Sequence, residues 1–174
     1  MDRNTNSQPT IEYATQDDIE AVTDLWVRLA RDQRLHESAV LPERNRESMR
    51  ETLAAHQVAE CLLVARVGGS VVGFASFTLE RGTLALDTTR GLLSNIYVDP
   101  PFRGRGIGTA LLEAAEDELA SQGASVVTLE VMAMNDDARR FYARHGYDPY
   151  RVSMKRSLED DDRSKSDTHS KGDR

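Results

Sequence analysis

The sequence predicts an α/β domain, a mixed and strongly twisted sheet flanked by helices. Three observations point there. Short strand-like runs at residues 61–67, 71–80, 92–98 and 125–131 alternate with segments of helical periodicity. The first two runs are joined by Gly68-Gly69-Ser70, a hairpin signal. The third runs through Asp99-Pro100-Pro101 and a Gly-rich loop straight into an amphipathic helix, so that strand, turn, loop and helix succeed one another within residues 92–119.

Size and composition bound the answer before any motif does. A chain of 174 residues suffices for one domain with a proper core. Its net charge of −7 gives no global attraction for nucleic acid. Only three of its 22 basic residues are lysines, Lys155, Lys165 and Lys171. An acidic, lysine-poor chain fits a GC-rich genome and adaptation to salt equally. Cys61 is the only cysteine, which excludes an intrachain disulfide and a cysteine-rich zinc site. Its place in the run CLLVARV is that of a small buried side chain. No apolar stretch approaches the ~20 residues of a membrane span, and the first residues, MDRNTNSQPT, lack a hydrophobic signal segment. The expected compartment is the cytoplasm.

Residues 1–9 are polar and expected to be flexible. Residues 10–14 read as a short strand. Thr15 then caps a helix over residues 17–33, with Asp17, Asp18 and Glu20 in the first turn, where the helix dipole favours them. Ile19, Val22, Trp26 and Leu29 recur at spacings of three and four, so Trp26 reads as core. The segment 35–44 contains Pro42 and breaks the pattern, leaving a loop before a second helix over residues 44–56. His36 and Glu37 on that loop read as solvated polar side chains. The hairpin follows, and residues 81–91 form a polar connection to the central strand. The helix over residues 108–122 faces Leu111, Leu112, Ala115 and Leu119 inward and ends at Gly123. After the strand 125–131, Asn135 starts a short helix with Asp136 and Asp137 in its first turn, closed by Gly146. Residues 147–155 are expected to supply a last strand. Residues 157–174 contain one aliphatic residue, Leu158, and bury too little to offset chain ordering, so a disordered tail is expected. His169 in that tail has no metal-site partners.

The Gly-rich loop carries the first chemical inference. Glycines bring backbone close to an anion, a helix N-terminus offers free N–H groups and positive potential, and Arg103 and Arg105 add charge-assisted donors. Gly104, Gly106 and Gly108 are spaced G-x-G-x-G rather than the G-x-G-x-x-G of a dinucleotide fold, and Gly108 is followed by Thr109-Ala110 with no lysine, unlike a P-loop.

Arg-x-x-Gly-x-Gly, set between a strand ending in Val-Asp-Pro and a helix, instead resembles the pyrophosphate loop of the GCN5-related N-acetyltransferases (GNAT). Two further pieces match in order. Ile96-Tyr97-Val98 corresponds to the strand whose backbone pairs with the pantetheine arm of the coenzyme in that family. Asn135, Phe141-Tyr142 and His145-Gly146-Tyr147 look like its Asn…F/L-Y…G-F/Y segment. The likeness is strongest over residues 91–155 and is similar above all to ribosomal-protein alanine N-acetyltransferases. The N-terminal half agrees in element order: strand, two helices, hairpin, strand.

The resemblance implies a GNAT-type acyl-CoA N-acyltransferase domain over residues 10–156, with acetyl-CoA as cosubstrate and no metal. It assigns Arg103, Gly104, Arg105, Gly106, Ile107, Gly108 and Thr109 to the diphosphate, and Ile96, Tyr97, Val98 and Asn135 to the coenzyme as well. Tyr142 takes the place of the tyrosine that donates a proton to the coenzyme sulfur. A phenol with a pKa near ~10 is protonated at neutral pH, as that task requires. Glu130 stands where the ribosomal-protein enzymes carry the proposed base, five residues before Asn135. Alternation puts it on the face of Val126 and Thr128, on a strand that otherwise looks buried. It either takes the proton of the amine or hydrogen-bonds neighbouring backbone, and both readings stand.

The place of the catalytic glutamate of histone-type relatives falls on or near Leu92, which argues against a lysine mechanism. With pKa values of about 8 and about 10.4, an α-amine is on the order of a tenth neutral at pH 7 and a lysine less than a thousandth. The expected acceptor is therefore a peptide or protein α-amine, attacking the thioester directly. The alternatives are a small amine (polyamine, amino acid or antibiotic) and a regulatory acetyl-CoA-binding module without turnover. Neither nucleic acid nor membrane is an expected partner, and a homodimer rests on family analogy alone.

Overall fold

The computed structural model describes residues 8–80 and 85–158. Strand β1 (Thr10–Tyr13) leads through a 3₁₀ turn (Gln16–Asp18) into helix α1 (Ile19–Arg34). The turn forms because Asp18 accepts hydrogen bonds from both the N–H and the hydroxyl of Thr15, at 2.8 and 3.0 Å. Helix α1 buries Val22, Leu25, Trp26 and Ala30, so Trp26 is core as expected. A loop and a second 3₁₀ turn (Glu43–Asn45) precede α2 (Arg46–Val58).

The hairpin signal is realised between β2 (Leu62–Val67) and β3 (Ser70–Leu79). Gly68 and Gly69 both take left-handed backbone, at φ +57° and +85°, the geometry of a two-residue turn that matches strand twist. Strand β4 (Arg90–Val98) then pairs with β3, and α3 (Ile107–Ser121) returns the chain to β5 (Val126–Leu129), parallel to β4. The sheet order is β1-β2-β3-β4-β5, antiparallel up to β4 and parallel at the last pair. The expected mixed α/β architecture is present.

One face of the sheet lies under α1 and α2, where Trp26, Leu53, Leu62, Val64, Phe74 and Tyr97 form one buried cluster. The other takes α3, whose Leu111, Leu112, Ala115 and Leu119 are all buried. Close approach depends on two glycines. A Cβ on Gly91 would stand 2.7 Å from the Leu119 side chain, and one on Gly73 would stand 2.8 Å from the carbonyl oxygen of Tyr97. Cys61 is buried, and burial pushes its thiol pKa up.

Helix α4 (Asp136–Arg144) begins at Asn135, whose side-chain oxygen accepts the N–H of Ala138 at 3.1 Å. The chain falls into two units dividing between Arg139 and Arg140, within this helix. In the second unit the helix ends at Gly146, φ +84°, as expected.

Two expectations are corrected. Residues 147–158 form no strand, and Tyr150, Val152 and Met154 are exposed. Their alternation with Arg151, Ser153 and Lys155 makes one short apolar face, too little to hold a strand that no described edge pairs. The strand expected over residues 125–131 stops at Leu129, leaving Glu130 and Val131 exposed. Residues 1–7, 81–84 and 159–174, and with them His169 and most of the expected tail, lie outside the described residues.

Candidate active site

The shortening of β5 follows from β4. Ser76 pairs with Asn95 and Phe77 with Leu93, so Ser94 is an extra residue bulging from the β3–β4 ladder. The Asn95 amide donates to Ser76 Oγ at 2.9 Å and holds the register there; Ser76 is itself buried. A bulge bends and twists its strand, and the pairing of β4 with β5 ends just there, at Leu93 with Leu129. Among the described residues β4 continues without a strand partner on that side to Val98. Asp99 N–H bonds back to Val72 O, so by alternation Tyr97 bonds toward β3, while Ile96 and Val98 turn their backbone groups to the open edge. Glu130 comes one residue beyond the last β4–β5 pair, exposed at the mouth of the gap rather than buried in a strand.

A 3₁₀ turn (Pro100–Phe102) carries the chain from β4 to the loop. Gly104 and Gly106 take φ +74° and +80°, and a Cβ on either would meet nothing within 4 Å. The loop is thus left-handed at two points and open on the outside. Gly106 is the N-cap of α3, and no side chain caps that end. The first-turn N–H groups of a helix have no carbonyl one turn back. Glu20, Glu47 and Asp136 with Asp137 stand in the first turns of α1, α2 and α4, whereas the first turn of α3 carries no acidic residue. Positive potential at this one helix end is left without a carboxylate.

The two loop arginines behave differently. Arg105 is exposed with its guanidinium 5.5 Å from the centre of the Phe102 ring. Arg103 is turned inward: Nε donates to Val98 O at 2.8 Å, Nη2 stands 3.4 Å from Asp32 Oδ2, and the guanidinium lies 5.1 Å over the Tyr97 ring. Tyr97 is buried, donates to the same Asp32 oxygen at 3.3 Å, and has its phenol pushed up to about 12 by burial and the Asp32 charge. Sequence reasoning missed Asp32 and Arg28. The available signal was charge order: Arg28 and Asp32 are four apart on a helix, and Asp99 and Arg103 are four apart with the signs reversed.

In the second unit, Tyr142 is half-buried, packed edge-on to Phe141 at 5.2 Å and to Tyr147 at 5.6 Å. Burial pushes its phenol up to about 12. The N–H groups of His145 and Tyr147 bond to its carbonyl and fix the helix end that carries it. Among the described residues no group of three or more His, Cys, Asp or Glu is placed to hold a metal, and no helix is long and apolar enough to cross a membrane.

A mixed sheet that parts beside an uncapped, carboxylate-free helix N-terminus defines the acyl-CoA N-acyltransferase class of fold. Residues 11–147 match the family model of the acetyltransferase (GNAT) family, and the chain belongs to that family. It is similar to the crystal structure of a GCN5-related N-acetyltransferase from Ralstonia eutropha JMP134, at 25% identity over 86% of this chain and 99% of that one, TM-score 0.71. It shares its fold with an aminoglycoside N-acetyltransferase, AAC(6')-Iy, in complex with CoA, at 18% identity over 89% and 98% of the two chains, TM-score 0.69. The same holds for a ribosomal-protein-alanine N-acetyltransferase from Brucella melitensis biovar Abortus 2308, at 22% identity over 87% and 100%, TM-score 0.65. The family is one of acetyl-CoA-dependent acetyltransferases.

Proposed function

We propose that the protein acetylates a peptide or protein α-amine by direct attack on the thioester of acetyl-CoA. The observation that carries this is the end of α3: two left-handed glycines open to the outside, no cap and no carboxylate, next to a strand edge with backbone groups to spare. Acetyl-CoA supplies the activated acetyl group and a thiol leaving group. The amides of Gly104 to Thr109 and the Arg105 guanidinium hold the diphosphate. Ile96 offers its N–H and C=O, and Val98 its N–H, to the pantetheine arm, while the Val98 carbonyl is held by Arg103 Nε. Tyr142 gives its proton to the departing sulfur; with its pKa raised it stays protonated throughout the neutral and mildly basic range. Asn135 caps the helix that carries Tyr142. Glu130 takes the proton of the amine, directly or through one water, and its exposure beside the gap suits a group that must meet an incoming substrate.

The α-amine is favoured because its neutral fraction at pH 7 is on the order of a hundredfold or more above that of lysine, and because Leu92 supplies no carboxylate on the central strand. Thiol release should be followed across peptides with a free N-terminus, N-blocked peptides with a free lysine, spermidine and an aminoglycoside, with mass spectrometry to place the acetyl group. The expected result is turnover on free N-termini. Turnover confined to the small amines would replace the acceptor, and coenzyme binding without thiol release on any amine would make the protein a binding module.

A further inference from the structure

The turn between β4 and α3 is fastened to one face of α1 by two ion pairs. Arg28 and Asp32 stand one helical turn apart on α1, and Asp99 and Arg103 flank the 3₁₀ turn. Arg28 Nη1 donates to Asp99 Oδ1 at 2.8 Å, and Arg103 Nη2 stands 3.4 Å from Asp32 Oδ2. The second pair is reinforced: Tyr97 OH donates to the same Asp32 oxygen, and Arg103 also holds Val98 O and covers the Tyr97 ring. A guanidinium with Nε on a carbonyl, Nη2 at a carboxylate and its face on a buried ring is committed on three sides. It stands immediately before Gly104, where the left-handed loop begins.

We infer that Asp32 is a positioning residue for the coenzyme loop, acting through Arg103, and that Arg103 braces the loop from behind instead of touching the diphosphate. This rests on the acetyl-CoA reading above. Charge recognition of the diphosphate then belongs to Arg105 and the amides of the loop, and Arg103 contributes through geometry. Lysine cannot replace it, since an ammonium is a single point and cannot span Val98 O, Asp32 and the Tyr97 face together.

The test is titration calorimetry of coenzyme A into the wild type, Asp32→Ala, Arg103→Lys, the double variant and Arg105→Gln, each at two salt concentrations. Asp32 and Arg103 are each about half exposed, so the substitutions spare the core. The expected result is a Kd raised about three- to fivefold by Asp32→Ala and by Arg103→Lys alike, as for the loss of a partly exposed pair. The double variant should be no weaker than either single one. Only Arg105→Gln should flatten the salt dependence. Contact of Arg103 with the diphosphate gives the opposite signs: Asp32→Ala would tighten binding by removing a nearby negative charge, and Arg103→Lys would keep most of the affinity. Either of those outcomes overturns the inference while leaving the coenzyme assignment intact. Failure of the wild type to bind coenzyme A overturns both.

Discussion

On the proposed reading Tyr142 and Glu130 are asked for opposite things, and their surroundings differ accordingly. The phenol must keep its proton until a thiolate appears, and packing between Phe141 and Tyr147 with burial holds its pKa at about 12. The carboxylate must meet solvent and substrate, and it is exposed beyond the end of β5. Tyr142→Phe keeps the packing and removes the donor; it should lower kcat about 10²-fold with coenzyme affinity within about twofold. Glu130→Gln should leave coenzyme affinity alone too, but its deficit should shrink as pH rises through the amine pKa of about 8, because a free amine needs no base. Pre-steady-state and steady-state rates across pH separate the two. A Glu130→Gln rate equal to wild type at every pH would make that glutamate structural.

At the scale of elements, the stretch from β4 to α3 was legible because each of its parts has a local chemical cause: strand formers, a Pro-Pro stop, glycines, then an apolar helical stripe. What sequence could not show is where β4 bends. Ser94 bulges because Ser76 and Asn95 pair across two strands, a contact between residues 19 apart, and no pattern in either strand announces it. The misplaced end of β5 and the misjudged burial of Glu130 both follow from that one hidden bend. The terminal strand failed for the converse reason: alternation was visible at Tyr150, Val152 and Met154, yet a strand needs an edge to join, which composition does not report. The inward turn of Arg103 left only the charge order as a signal, since its partners Asp32 and Val98 come from two other elements. The fit of β3 against β4 is the easiest of these features to probe. A methyl at Gly73 would stand 2.8 Å from Tyr97 O, and a backbone atom cannot swing aside. Gly73→Ala should therefore lower stability by about 1–3 kcal/mol, read as a drop in melting temperature, with coenzyme affinity reduced as β4 shifts. An unchanged melt would mean the two strands have slack.

At the scale of the whole molecule, one contribution to acid tolerance lies where the sheet edge meets α1. Burial alone pushes the Asp18 carboxyl up, but hydrogen bonds from Arg66 on β2 and from Thr15 more than offset it and leave the pKa below the usual carboxylate range. Arg66 Nη2 lies 2.7 Å from Asp18 and also bonds Glu12 on β1, so one guanidinium joins β1, β2 and the entry to α1. A depressed carboxyl stabilises the fold fully above its unfolded pKa of about 3.9, and that contribution disappears as pH falls through the lower folded value. Asp18→Asn should cost about 2–3 kcal/mol at pH 7, and its deficit against wild type should narrow in denaturation curves taken below pH 4. A deficit independent of pH would assign the loss to packing.

The half of β4 that runs on without β5 has one more consequence. Peptide groups have no alphabet: an amide and a carbonyl turned outward grip any partner that presents the complementary pair, whatever it carries further along. On the proposed reading, acetyl, propionyl and longer thioesters share the same pantetheine handle and would be taken up by this seam alike. Choice among them then belongs to the walls around the acyl end, so substitutions there would retune which acyl group is transferred without loosening the grip on the coenzyme.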